Sequence, residues 1–284
     1  MATSTSSTSA IATTAHRLRK LLPYASFEVA PSASVGWVAL DQVPLGTQLD
    51  DWLDAFQSTH GHRSVAGSLL GLDLARAVIQ PTVSAMVLDN RCPDPRIQNL
   101  AVSPQPSGAL EQIAVRTHRL AVLANDVDKN APEVITIQPD QVALASWWAR
   151  TAVNTLTPLL AGIRSRAPFG LRGLWTNAAD EVTGVALSTA GQSGPDSDQA
   201  WQQAMLLFDA FAEYAPVRLS APQPFPIRHN RRIHQFHVRA SCCLYYRSSA
   251  ASAALDDRYC ASCPLRDDVS RRQRLAKFVE AELS

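Results

Sequence analysis

Four of the chain's five cysteines lie in its last fifth: Cys242 and Cys243 side by side, then sixteen residues, then Cys260-Ala-Ser-Cys263 followed by Pro264. Two tight pairs of thiols suit soft metal chemistry, because Zn2+ and the irons of iron–sulfur clusters both prefer sulfur. A Cys-x2-Cys loop can direct two thiolates at one metal while its backbone N–H groups turn toward the sulfurs, which helps set a cluster's potential. The adjacent pair is less usual. Neighbouring side chains of a regular strand point to opposite faces, so Cys242 and Cys243 share a site only if the backbone turns or bulges there. Structural zinc sites mostly use two spaced pairs, and this departure moves weight toward a [2Fe–2S] cluster with two irons to ligate. Spacing by itself leaves both metals open. Disulfides are disfavoured, since the N-terminal segment lacks the apolar core of a secretory signal. Cys92 stands alone beside Pro93 and Pro95 and reads as a small buried or loop thiol.

The environment of the thiols is basic. No acidic residue occurs between Glu213 and Asp256, whereas Arg218, Arg228, Arg231, Arg232, Arg239 and Arg247 do, with His229, His234 and His237. A four-thiolate cluster is anionic and becomes more so on reduction, so nearby arginines raise its potential and attract anionic partners. Arg239 and Arg247 flank the cysteine pair and are the candidates for this role; the alternative is an ordinary solvated basic surface. The histidines read as strand or loop positions rather than extra ligands.

The elements around these residues can be sketched from periodicity. Helices are expected over residues 49–58 and 63–80, the second stopping before Pro81. Others are expected from an Asp140 N-cap, from a fresh start at Thr157-Pro158, and over 198–214. A last helix is expected over 266–283, with Leu275, Phe278 and Val279 inward. Short β-branched runs at 100–103, 113–116, 120–123 and 134–137 predict one small antiparallel sheet. Pro222, Pro224 and Pro226 mark a joint, followed by a strand over 233–238. The fold class expected is α+β, mainly helical, with a small antiparallel sheet and a C-terminal iron–sulfur module. The divisions are a disordered tail (1–15), a helical α+β domain (16–224) and the module (225–284). The tail also shares its Ser/Thr-rich, acid-free composition with organelle transit peptides. Trp147, Trp148 and Trp175 read as core, with a pocket lining as the alternative.

A net charge of +1 predicts no general attraction to nucleic acid, and no apolar run is long enough for stable membrane insertion. Neither a dinucleotide fingerprint nor a P-loop is present. Electrons would therefore come from a separate protein.

Arg239-Ala-Ser-Cys-Cys-Leu-Tyr-Tyr-Arg247, with Tyr259-Cys-Ala-Ser-Cys-Pro-Leu265, resembles the C-terminal signature of the FhuF-like ferric-siderophore reductases. Residues 65–90, 147–158 and 174–180 resemble the family more weakly. The resemblance implies one [2Fe–2S] cluster on Cys242, Cys243, Cys260 and Cys263. It further implies one-electron reduction of a ferric siderophore that releases Fe2+, an external donor such as a ferredoxin, a cytoplasmic location, and an N-terminal domain facing the siderophore. The family's spacer between the cysteine pairs is shorter, and residues 248–254 (SSAASAA) look like an insertion forming a surface loop. The competing readings are a four-cysteine zinc or redox-sensing regulatory protein, for which no helix-turn-helix is evident, and a simple electron carrier.

Overall fold

The computed structural model describes residues 9–23, 27–31, 36–194, 196–251, 254 and 258–282. In chain order these form α1 (Ala10–Leu21), β1 (Glu28–Val29), β2 (Val38–Ala39), α2 (Gln48–His60) and α3 (Arg63–Asp89). Next come β3 (Cys92–Pro93), β4 (Leu100–Pro104), β5 (Leu110–Val115), β6 (Leu120–Leu123) and β7 (Val134–Gln138). The last part comprises α4 (Gln141–Arg166), α5 (Leu171–Ser193), α6 (Ser197–Tyr214), β8 (Gln223–His229), β9 (Arg232–Val238) and α7 (Asp268–Glu282).

The long helix α3 is buried along nearly its whole length and has no polar face, so it must be surrounded. It is, by α2, α4 and α5, while α6 packs across α4 and α5. Two glycines one turn apart permit the close approach. A Cβ at Gly67 would lie 2.4 Å from the Ala167 Cβ, and one at Gly71 would lie 2.5 Å from Leu174 Cδ2. Trp148 and Trp175 both pack on Phe211, with ring centroids 5.9 and 6.0 Å apart, and are fully buried core as expected. Trp147 is only partly buried and lines a cleft with Arg96 and Thr151.

Both prolines expected to break helices lie inside them. Pro81 removes the N–H that would bond the Ala77 carbonyl. Thr82 ties the next turn together: its hydroxyl proton is shared between the carbonyls of Val78 (2.8 Å) and Ile79 (3.1 Å), and its oxygen accepts from Trp148 Nε1 (2.9 Å). Burial on every side then outweighs the kink, and α3 continues to Asp89. Pro158 frees the carbonyl of Asn154, an exposed residue, so α4 runs through it as well. The end of the 1–15 segment is also helical. α1 starts at Ala10, capped by the Ser9 hydroxyl, with Ile11, Ala15 and Leu18 buried. Its Ser/Thr-rich sequence conceals an apolar stripe; residues 1–8 lie outside the described residues.

The strands form three sheets rather than one. β1-β5-β4-β2 contains the expected antiparallel β4–β5 pair plus a parallel β1–β5 contact. β3-β6-β7 is separate, and β6 and β7 run parallel, not antiparallel. Residues 124–133 make a loop instead of a tight hairpin, held by Arg91 on Asp126 (2.8 and 2.9 Å) and Asp128 (2.7 Å). Pro224 and Pro226, expected as a joint, lie inside β8 instead, and β8 and β9 form a hairpin with Asn230 and Arg231 both at positive φ, which gives a two-residue turn matching strand twist. The hairpin packs on α7 through Phe225, Ile227, Leu275 and Val279, a small cluster distinct from the main core. Phe278, expected inward, is 43% exposed.

Thr82→Val keeps the shape of the side chain but removes these hydrogen bonds. It is expected to destabilise the chain by about 2 kcal/mol, read from the midpoint of urea unfolding.

Candidate metal centre

At the end of β9 the chain leaves the hairpin and meets α5. Asp180, 2% exposed, receives it there: Oδ1 accepts from the Ala240 N–H (2.8 Å), and Oδ2 from the Ser241 N–H (3.1 Å) and hydroxyl (3.3 Å). One turn earlier Asn177 Oδ1 accepts from Ser241 Oγ (2.6 Å) and Arg239 Nη2 (3.2 Å). Asn177 and Asp180 are three residues apart and so share a helix face. They hold residues 239–241 directly before the cysteine pair. The turn that adjacent thiols require follows at once, since Leu244 has φ +63°. A non-glycine residue there costs about 1 kcal/mol and persists only where its surroundings enforce it.

The second pair is built by arginines. Arg266 donates to the carbonyls of Tyr259 and Cys260 (Nε to Cys260, 3.2 Å). Arg271 donates to those of Cys263 (2.8 Å) and Arg266 (2.7 Å), and both arginines are buried. The Arg239 N–H bonds the Ser262 carbonyl (2.9 Å), tying the Cys-x2-Cys loop to the end of β9. With these carbonyls occupied, N–H groups serve the sulfurs: Leu244 donates to Cys242 Sγ (3.4 Å), and the N–H groups of Tyr245 and Leu265 bond Cys243 and Cys263.

The four predicted cysteines are thus brought together. None is in a disulfide; Cys243 and Cys263 are buried, and Cys242 and Cys260 half-buried. Their thiols meet as pairs drawn from both motifs, Cys242 with Cys263 and Cys243 with Cys260, while Cys260 also reaches Cys263. Among the described residues, no three His, Cys, Asp or Glu side chains converge in the manner of a single-ion site. Sharing protons splits the thiols: the bond from Cys263 lowers Cys242, whereas the bond to Cys260, with burial, pushes Cys243 well up. Thiolates are the form that binds a metal, so a metal binding these thiols would release protons.

Arg239 lies close enough to act on Cys243 and Cys260 electrostatically, and its buried Nε makes no hydrogen bond. Its ion pair with Asp180 is 3.5 Å. Burial pushes the Asp180 carboxyl up, against Arg239 and the two N–H groups. Burial also acts on neighbouring Glu181, but Arg76 (2.9 Å) and Arg239 outweigh it and hold that carboxyl below its usual range. Arg247, the other candidate, is exposed and forms no ion pair among the described residues. Cys92 is fully buried in the main core beside β6, where burial raises its thiol well above the ordinary value.

The spacer is anchored rather than loose. Tyr246 and Tyr259 stack with centroids 5.3 Å apart and close its two ends. Ser248 Oγ contacts His60 Nδ1 (2.7 Å), and the Ser249 hydroxyl donates to the Thr59 carbonyl (3.0 Å), so the insertion starts on the end of α2. Residues 252–253 and 255–257 lie outside the described residues.

Asn177, Asp180, Arg266 and Arg271 were not predicted as site residues. A signal existed for the first two, a polar pair at helical spacing in a largely apolar segment.

A family model described as "Ferric iron reductase FhuF-like transporter" matches residues 68–235, more than half of the chain. The chain belongs to the FhuF-like family. No curated protein matches it. The region shared with the family includes most of α3, α5 with Asn177 and Asp180, and most of the β8–β9 hairpin, and it stops before Cys242. Among the described residues of this FhuF-like chain, no helix is long and apolar enough to cross a membrane.

Asp180→Asn cannot accept all the bonds the carboxylate takes. It is expected to cost about 3 kcal/mol and to speed modification of Cys242 and Cys243 by a thiol reagent in metal-free protein. A second expectation concerns pH. Burial, with Arg239 adding and Glu181 opposing, lowers His237 from 6.5 to about 4. Between those values the unfolded chain binds a proton that the folded chain refuses, so stability falls as pH drops from 6.5 toward 4. His237→Gln should flatten that part of the melting-temperature profile relative to the wild type.

Proposed function

We propose that this FhuF-like protein reduces chelated Fe3+ by one electron, using a [2Fe–2S] cluster bound by Cys242, Cys243, Cys260 and Cys263. The observation that carries the reading is the meeting of four thiols from both motifs, whose carbonyl neighbours are taken by arginines and whose sulfurs receive N–H bonds. Four thiols can ligate two irons or one tetrahedral ion, and the resemblance of the cysteine run to the FhuF-like signature favours the two irons. The family described as ferric iron reductases supplies the substrate class.

A bound cluster would supply one electron at a time. This chain's own residues would orient and shield it. Cys243 and Cys263 are buried, and Arg239, buried beside Cys243 and Cys260, would favour the more anionic reduced state. The substrate is a ferric siderophore: its oxygen ligands hold hard Fe3+ tightly and Fe2+ poorly, so reduction releases the iron. An external one-electron protein such as a ferredoxin would supply the electrons, and the setting would be the cytoplasm.

Anaerobically purified protein should be reddish-brown, with visible bands that bleach on dithionite. A colourless protein holding one stoichiometric zinc would instead establish the zinc or redox-sensing alternative. Cys243→Ser should abolish the bands and Cys92→Ser should leave them unchanged. Arg239→Gln should lower the reduction potential, measured by dye-mediated titration, whereas Arg247→Gln at its exposed position should shift it far less.

A further inference from the structure

A cavity of about 390 Å³ opens between the C-terminal half of α5, the start of α6, β9 and α7. It adjoins the thiols, because Ala261 and Ser262 of the Cys-x2-Cys loop form part of its wall and Ser262 Oγ is 4.0 Å from Cys260 Sγ. Its apolar lining comes from Leu187, Phe236 and Leu275, and two exposed apolar side chains, Ile233 and Phe278, are also in it. Arg232 and Arg274 contribute positive charge, and among the described residues no acidic one lines it.

Gly191 points the same way. It lies inside α5, where glycine costs about 1 kcal/mol relative to alanine. A Cβ there would meet nothing within 4 Å, and its φ is ordinary, so neither packing nor backbone conformation demands glycine. What its bareness does is widen this cavity.

We infer that this cavity, rather than a surface of the N-terminal domain, receives the ferric chelate, and that it selects chelates with a net negative charge and apolar arms. The inference rests on the reductase reading and deepens it by naming the site and the charge class. The volume is within the range of small-molecule sites. An apolar lining that carries arginines complements an anion carrying hydrocarbon. In the reaction one electron moves from the reduced centre to the chelated Fe3+, leaving Fe2+ and the oxidised centre. No bond to the protein forms or breaks, and the one-electron protein donor restores the starting state.

Redox-inert Ga3+ complexes test the site without electron transfer. The purified full-length protein, with its visible spectrum recorded, is titrated calorimetrically with an anionic citrate-centred dihydroxamate complex and with a neutral cyclic trihydroxamate complex. The anionic complex is expected to bind roughly tenfold tighter or more. Gly191→Leu, which fills the cavity with a good helix former, should weaken its binding at least about tenfold at a melting temperature no lower than the wild type's. Gly191→Ala should bind normally and melt higher, and Arg232→Gln should erase the preference for the anion. Wild-type binding by Gly191→Leu, or a charge preference that is absent or survives Arg232→Gln, overturns the proposal. If Ga3+ binding ignores these variants while Fe3+ is still reduced, only the site assignment fails. If the expected Ga3+ binding is seen but no Fe3+ chelate is reduced, only the reductase reading fails.

Discussion

The carboxylate of Asp180 joins the two parts of the molecule. It is buried on a helix that is itself locked against α3, through the Gly71–Leu174 approach and the Asn177–Ser68 contact of 3.3 Å. A carboxylate removed from water must be fully bonded, and this one is bonded by the chain that precedes the cysteines: two N–H groups, a hydroxyl and the Arg239 guanidinium. The position of Cys242 and Cys243 thus follows from the helix bundle rather than from the hairpin that leads to them. The helical region supplies the rigid platform, and the thiols are presented from it.

Charge is distributed in keeping with that division. Residues 225–284 contain eleven Arg and Lys against six Asp and Glu, so they are net +5 and the rest of the chain net −4. Much of the positive charge near the thiols is structural: Arg266 and Arg271 are buried and spend their donors on loop carbonyls. Arg239 differs because its guanidinium lies close enough to Cys243 and Cys260 to act on both electrostatically. An arginine bonded to loop carbonyls shapes the loop, whereas one set beside sulfur can stabilise negative charge there.

The helical elements were legible to the extent that burial was one-sided. α6 follows an apolar stripe and was expected almost to the residue. α3 and α4 were cut short at Pro81 and Pro158, because a proline's local penalty is visible in sequence while the neighbours that offset it are not. The parallel pairing of β6 and β7 was missed for a related reason. Short separation suggests a hairpin, and only the Arg91 ion pairs reveal that residues 124–133 loop round instead.

By itself, the sequence singled out the four thiols and the basic run around them, and the chemistry they suit. Cysteine type and spacing are covalent facts, and so is the run free of acids around them. Only the tertiary structure decided how they are used. It paired Cys242 with Cys263 and Cys243 with Cys260, drew Arg239 in and left Arg247 outside, and set a cavity against the Cys-x2-Cys loop. Those outcomes depend on contacts between residues sixty or more positions apart, such as Asp180 with Ala240. A carboxylate's need for donors once it is buried can be stated in advance; which donors reach it is settled only when the helices pack.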